Sequence, residues 1–277
     1  MTETQLFTVF AFLFGLLIGS FLNVCIFRLP RDMSVVAPRS LCPQCEKTIS
    51  WYDNIPLLSF VLLRGKCRNC SAAIPWRYPL VELLTGIAFG VSVGAFGLEL
   101  IALKYCLLSA ICITLIFSDL EERILPDEFT KGGTVIGLVL AWFVPMPAGI
   151  SHFFVRNPAA DPRMLSVMEA VLGIVICAGS LWLVGFLYSK VRDREGLGFG
   201  DVKMIAMIGA FLGLQGALLT LIISSVMGSL IGLLFIFSTG KNASTYELPF
   251  GTFLGAACLA VAVFGETVLH FYSSMGA

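Results

Sequence analysis

The sequence predicts an all-α polytopic membrane protein, and three observations carry that prediction. Hydrophobic residues make up 57% of the 277 and charged residues only 13%, for a mean hydropathy of +0.91. A water-soluble fold of this length could not cover so much apolar surface. The apolar residues form runs near the roughly 20 residues that cross a bilayer core, and the basic residues collect between the runs.

The runs cover 6–27, 79–97, 100–118, 132–147, 166–188, 202–214, 216–237 and 250–272, which gives about eight transmembrane helices. The sixth is short, and the block from 202 to 237 is divided only at GLQG. The first run lacks a basic segment before it and a small-residue cleavage site after it, so it reads as a retained span. Three parts follow: a first transmembrane helix over 1–27, a polar loop domain over 28–78 and a membrane domain over 79–277.

Orientation comes from the excess of Lys and Arg that cytoplasmic loops carry. Segment 28–78 holds eight basic residues against three acids, 119–131 holds two and 190–194 three, with Lys203 at the start of the sixth run and Lys241 in the last polar loop. With eight spans all of these fall on one side, the cytoplasmic one, and Lys104, Arg156 and Arg163 remain for the other. The 18 basic residues balance the 18 acidic ones, so net charge does not argue for a charged partner, and nothing points to nucleic acid.

The large basic loop contains CPQC (Cys42, Cys45) and CRNC (Cys67, Cys70). Two such pairs present four thiolates that can close a tetrahedron around one Zn2+, with no open position for catalysis, so the metal would be structural. The alternatives are two disulfides or four buried thiols. Disulfides need an oxidising compartment, which a cytoplasmic loop does not provide. The intervening 21 residues exceed the usual spacing slightly, so extra structure around SWYDNIPLLSF is expected to bridge the halves of a cytoplasmic zinc-ribbon-like loop. Cys25, Cys106, Cys112, Cys177 and Cys258 lie in apolar runs and read as small core residues.

Acids at membrane depth narrow the search for chemistry. Asp119 ends the third run in LIFSDLEERILPDEFT, and Asp201 opens the sixth in GLGFGDVKM. The topology puts both at cytoplasmic helix ends, where two packed helices could bring the carboxyls together. Such a pair holds one proton between two acids, and the anionic member can take a proton from water while the neutral one polarises a scissile carbonyl. Gly198 and Gly200 would let a substrate approach closely. An Asp at a helix start is also a common cap or dipole partner, and Asp119 adjoins an acidic, solvated loop. Glu82 is read as snorkelling or pairing with Arg77, and Glu169 and Glu266 as interfacial.

Competing soluble chemistries find no support. There is no phosphate-binding Gly-rich loop, no Gly-x-Ser-x-Gly elbow and no dinucleotide fingerprint. His152 and His270 fall in outer segments. A proton-coupled transporter would place its acids near mid-membrane in repeated broken helices. A non-catalytic zinc-loop assembly protein would leave GFGD without purpose.

The ordered stretches GSFLNVCIFRLP at 19–30, the two cysteine knuckles, RYPLVELLTG at 77–86, SDLEERILPDEFT at 118–130, GLGFGDVKMIAMIGAFLG at 196–213 and LPFG at 248–251 resemble the type IV prepilin peptidases. These are the leader peptidases and N-methyltransferases of bacterial pilus and type II secretion systems. The resemblance implies a Gly-x-Gly-Asp intramembrane aspartic protease of the bacterial inner membrane, with Asp201 as the motif Asp and Asp119 as its partner. Gly198, Gly200, Lys203 and Glu82 lie in the matching stretches as supporting residues. It implies prepilin and pseudopilin substrates, cut after a glycine and then methylated on the new N-terminal residue, usually Phe, with S-adenosylmethionine as donor. Gly65 and Lys66, in the Gly-Lys-Cys run, are the first candidates for the donor site; a plain turn and a solvated lysine are the alternative. Where the family often reads Pro-Phe-Gly-Pro, this chain reads PFGT, so the last proline's turn is absent. Oligomeric state and the part played by Asp127 are left open by the sequence.

Overall fold

A computed structural model describes residues 2–146, 149–151, 155, 161–192, 198–239 and 248–275. His152, Arg156, Arg194 and Lys241, and the side chains of Glu266 and His270, lie outside them. Among the described residues the architecture is helical, with two isolated antiparallel bridges and no strand. Contacts divide the chain into two compact units, Met1–Ser118 and Asp119–Ala277.

The first unit begins with α1 (Glu3–Arg28), opened by a capping box in which Thr2 and Gln5 each hydrogen-bond the other's backbone N–H. Helix α1 packs on α3 (Arg77–Phe96) through small residues, as close helix pairs in lipid do. A Cβ on Gly19 would stand 2.6 Å from the Cα of Glu82 and one on Gly15 2.8 Å from the Cα of Gly86. Asn23 bridges the same pair by donating to the Gly19 and Tyr78 carbonyls at 3.3 and 3.0 Å.

Between these helices the polar loop carries little regular structure: a 3-10 turn over Trp51–Asn54 and the short α2 (Leu58–Leu62). These occupy the stretch expected to bridge the cysteine pairs. Buried Arg28 holds the start of the loop by donating to the Ser34 and Pro38 carbonyls, both at 2.8 Å.

Helix α4 (Leu100–Glu122) ends at Arg123, whose φ of 55° is the left-handed stop that closes a helix. Leu125 precedes Pro126 and is thereby steered away from helix. Helix α5 (Asp127–Phe143) then starts at once. The run expected at 166–188 is α6 (Pro162–Leu172), a π-helical turn (Gly173–Ala178) and α7 (Gly179–Arg192). The two runs at 202–214 and 216–237 form one 41-residue element, α8 (Phe199–Thr239), broken at Gly213 by φ 69° and ψ −173°. Only glycine adopts that conformation without strain, which is why the division falls there, at the first residue of GLQG. The last helix is α9 (Phe250–Met275).

Helices α5, α6 and α9 and the π turn all pack on α8. The π turn coincides with the tightest approach, where a Cβ on Gly209 would meet the Gly173 carbonyl carbon at 2.6 Å. Among the described residues five helical stretches are long and apolar enough to cross a membrane: Glu3–Arg31, Arg77–Phe96, Leu100–Glu122, Pro162–Arg192 and Phe199–Phe235. Phenylalanines and leucines such as Phe10, Phe14, Leu17 and Leu234 remain exposed on them, as lipid-facing surface requires.

Glu169, expected near the outer end of its span, is buried, and its Oε1 accepts the backbone N–H groups of Gly149 and Ser151 at 2.9 and 2.7 Å. Its carboxyl thereby holds the described part of the segment between α5 and α6.

Candidate active site

Asp119 and Asp201 are brought into one site within the second unit. Both are buried, with 5% and 9% of their surface exposed, and Leu125 links them, packing against Gly200 beside Asp201 and against Gly251, which adjoins the Asp119 carboxyl. Asp119 comes from the last turn of α4 and Asp201 from the first turn of α8. Gly198 precedes α8, so it is Gly198, not Asp201, that occupies the cap position. The Asp201 amide donates back to the Gly198 carbonyl at 3.1 Å.

The turn after Asp119 builds one side of the site. Leu125, buried by the Pro126 turn, fills the space left by two glycines. A Cβ on Gly200 would stand 3.2 Å from Leu125 Cδ1, and one on Gly251 would stand 3.0 Å from the same atom and 3.2 Å from Asp119 Cγ. These glycines admit the side chain between α8 and α9. Gly198 is less constrained, since its Cβ would make ordinary contact with Asp201 Oδ2 at 3.4 Å.

Helix α9 supplies the hydrogen bonds. Thr252 donates to Asp119 Oδ2 twice, from its backbone N–H at 2.7 Å and from Oγ1 at 2.9 Å. Asp119 sits at the C-terminal end of its own helix yet satisfies one of the orphan N–H groups at the start of another. An acid at the end of one helix thus caps the start of another across space. Thr252, Gly251 and Leu125 were not singled out as site residues by sequence, although PFGT stood out as a departure.

Lys203, two residues past Asp201, donates to Asp127 Oδ1 and ties the start of α8 to the start of α5. Asp127 also pairs with Lys131 at 2.6 Å. Outside the apolar runs, Asp127 is held below the usual carboxylate range by hydrogen bonds from Lys131 and Lys203.

In the first unit the four knuckle cysteines meet, with one ligand atom from each lying within 4.8 Å of all the others. The Cys42 and Cys70 sulfurs are 3.8 Å apart, about the edge of a tetrahedron with Zn–S near 2.3 Å. The cysteines are free thiols. The two knuckles repeat one design: Cys42 and Cys67 accept the N–H of Glu46 and Ser71, four residues on, at 2.8 and 2.9 Å. Glu46 and Ser71 both take left-handed backbone, at φ 54° and 59°. Backbone N–H groups of Cys70 and Asn69 pull the Cys67 thiol down to about 6, while burial and the neighbouring sulfurs push the Cys70 thiol up to about 11, so Cys67 is the first of the two to give up its proton. Arg68, inside the second knuckle, grips Asp53 of the bridging turn through Nε at 2.9 Å and Nη2 at 2.6 Å. This cluster can hold a metal ion.

Gly65 and Lys66 adjoin the second knuckle. Gly65 has φ 67° and accepts from Ile74 at 2.7 Å, a turn that favours glycine. Lys66 is exposed. Glu82 does not snorkel. It is buried, and its Oε2 accepts the amide of Leu57 at 2.8 Å, holding a leucine at φ 58° in a region that non-glycine residues rarely visit. Glu82 thereby anchors the bridge between the knuckles to α3.

Residues 13–96 match the bacterial peptidase A24 N-terminal domain and residues 106–233 the type IV leader peptidase family. The chain is 39% identical over 242 residues to a prepilin leader peptidase/N-methyltransferase of Myxococcus xanthus, covering 87% of this chain and 67% of that one. Its counterpart in Aeromonas salmonicida is 32% identical over 292 residues, covering 95% and 92%. The chain belongs to the type IV leader peptidase family. A Pseudomonas aeruginosa relative of the same description is 33% identical over 289 residues, covering 96% and 93%. No solved structure matches. Family membership makes the chain a membrane protease with methyltransferase activity, and the boundary between the two matched regions leaves the cysteine cluster in the first and both aspartates in the second.

Proposed function

We propose that this chain cuts the short basic leader from prepilins and pseudopilins at the cytoplasmic membrane face, and that Asp119 and Asp201 perform the cut. The observation that carries the reading is their burial in one site around Leu125, Gly200 and Gly251. Two carboxyls in such a site share one proton. The ionised member takes a proton from water as its oxygen attacks the scissile carbonyl, and the neutral member hydrogen-bonds the carbonyl oxygen. The tetrahedral intermediate collapses as the first acid returns its proton to the leaving nitrogen. A basic leader stays in the cytoplasm while the apolar helix behind it sits in lipid, which presents the bond at the level of these helix ends.

The new N-terminal residue, usually Phe, is then methylated with S-adenosylmethionine. Of the two donor-site candidates, Gly65 is occupied by its turn, and exposed Lys66 is the one able to meet the donor's carboxylate. Cys42, Cys45, Cys67 and Cys70 hold Zn2+ that orders the loop and has no open position for chemistry. The basic excess in 28–78 supports a cytoplasmic loop in an inner-membrane protein.

The test is the product mass when a purified prepilin is incubated in vesicles with the wild type, Asp119→Asn or Asp201→Asn. Leader loss with wild type alone, and a further methyl mass when S-adenosylmethionine is added, supports both activities. Cleavage by either variant moves the chemistry elsewhere, Asp127 being the next acid. A wild type that cuts nothing favours a transporter or an assembly role.

A further inference from the structure

We propose that Thr252 is a positioning residue that holds Asp119 as the proton-accepting member of the pair, leaving Asp201 as the proton-bearing one. This rests on the aspartate-pair reading above. Both donors of Thr252 reach the same oxygen, Oδ2, at 2.7 and 2.9 Å. Two hydrogen bonds donated to one carboxyl oxygen stabilise the ionised form over the protonated one, so they bias Asp119 toward the anionic role. The two bonds also fix the carboxyl plane and leave Oδ1 as the oxygen for water.

The backbone donor is permanently available. Thr252 lies in the first turn of α9, where the amide has no partner within its helix, and the helix start favours the negative charge it meets. Gly251 lets that turn sit directly on the carboxyl, since any Cβ there would stand 3.2 Å from Asp119 Cγ. Proline at 252 would have no N–H and no hydroxyl to offer, so the threonine of PFGT adds an interaction that such a chain lacks.

The assignment fixes each atom's course. Water oxygen bonds to the scissile carbon and its proton passes to Asp119 Oδ1. The Asp201 proton moves to the carbonyl oxygen as the tetrahedral centre forms. On collapse the C–N bond breaks, Asp119 gives its proton to the amine, and Asp201 recovers one from the hydroxyl as the C=O bond returns.

The experiment measures kcat and KM for prepilin cleavage in vesicles, across pH, for the wild type, Thr252→Val, Thr252→Ser and the two Asp→Asn variants. Valine keeps the backbone donor and removes the hydroxyl. It is expected to lower kcat by roughly tenfold to a hundredfold, as loss of a hydrogen bond to a charged group does, with KM within about twofold. Serine is expected to restore kcat, and the acid limb of the kcat profile, which reports the base, is expected to move with valine and return with serine. Inactive Asp variants beside a fully active valine variant overturn the role of Thr252 and leave the pair standing. A loss confined to KM, an unmoved acid limb or a serine variant no better than valine also overturns it. Active Asp variants overturn the pair itself.

Discussion

The cysteine cluster and the aspartate pair are both assembled from separated stretches of chain, but they are assembled differently. Each knuckle completes its own geometry within a few residues: Cys42 to Lys47 and Cys67 to Ala72 form the same turn with the same hydrogen bonds. The aspartate site has no local completeness. Asp119 takes its hydrogen bonds from a residue 133 positions away, and its wall is a leucine fitted between glycines of two other helices. A site closed by local turns tolerates change in the helices around it, whereas one defined by helix packing depends on every close approach.

The sharpest way to break that contrast is substitution at the acids. Asp119→Asn or Asp201→Asn is expected to lower cleavage by roughly 10² to 10⁴, the usual contribution of acid–base groups, while bound metal measured by elemental analysis stays at the wild-type level. Metal loss in either variant would mean that the two sites are not independent. Cys67→Ser is the reciprocal test, expected to abolish stoichiometric zinc and to lower cleavage far less than either Asp variant.

Gly251→Ala probes the packing alone. The added methyl would press on Leu125 and on Asp119 Cγ, and displacement of a catalytic group by a fraction of an ångström is expected to lower kcat by roughly tenfold or more. The same change at Gly132, with nothing within 4 Å of its Cβ, should leave kcat unchanged. Equal effects at the two positions would remove the argument from close approach.

Lys203→Met is expected to have the smallest effect, a loss of a few-fold, because Asp127 keeps Lys131 as a partner and exposed pairs contribute little. The pH dependence follows from the depressed Asp127 carboxyl. Its stabilisation is fully present above the ordinary Asp value of about 3.9 and is lost only as pH falls through its own lower value. The ratio of wild-type to variant rates should therefore be flat between about pH 5 and 8.

The same contrast explains what the sequence disclosed. Spacing alone announced the cysteine cluster, because Cys-x-x-Cys already contains the turn. Apolar runs announced the helices, and the expected division at GLQG appears as the break at Gly213. Asp119 and Asp201 were visible as acids at apolar helix ends, with the family resemblance supplying their pairing. Thr252, Gly251 and Leu125 were not, because an ordinary threonine, glycine or leucine acquires its role only when α9 is laid against the end of α4. Glu82 was misjudged for a related reason: a buried glutamate that accepts an amide from a distant loop looks, in sequence, like one that reaches the interface.

The central claim is that Asp119 and Asp201 act as one unit, and a double-mutant comparison of prepilin cleavage tests it most directly. Residues that act together are strongly non-additive, so Asp119→Asn with Asp201→Asn is expected to be no slower than the slower single variant. A double variant whose loss equals the product of the two single losses would show that the carboxyls act separately, and would contradict the shared site.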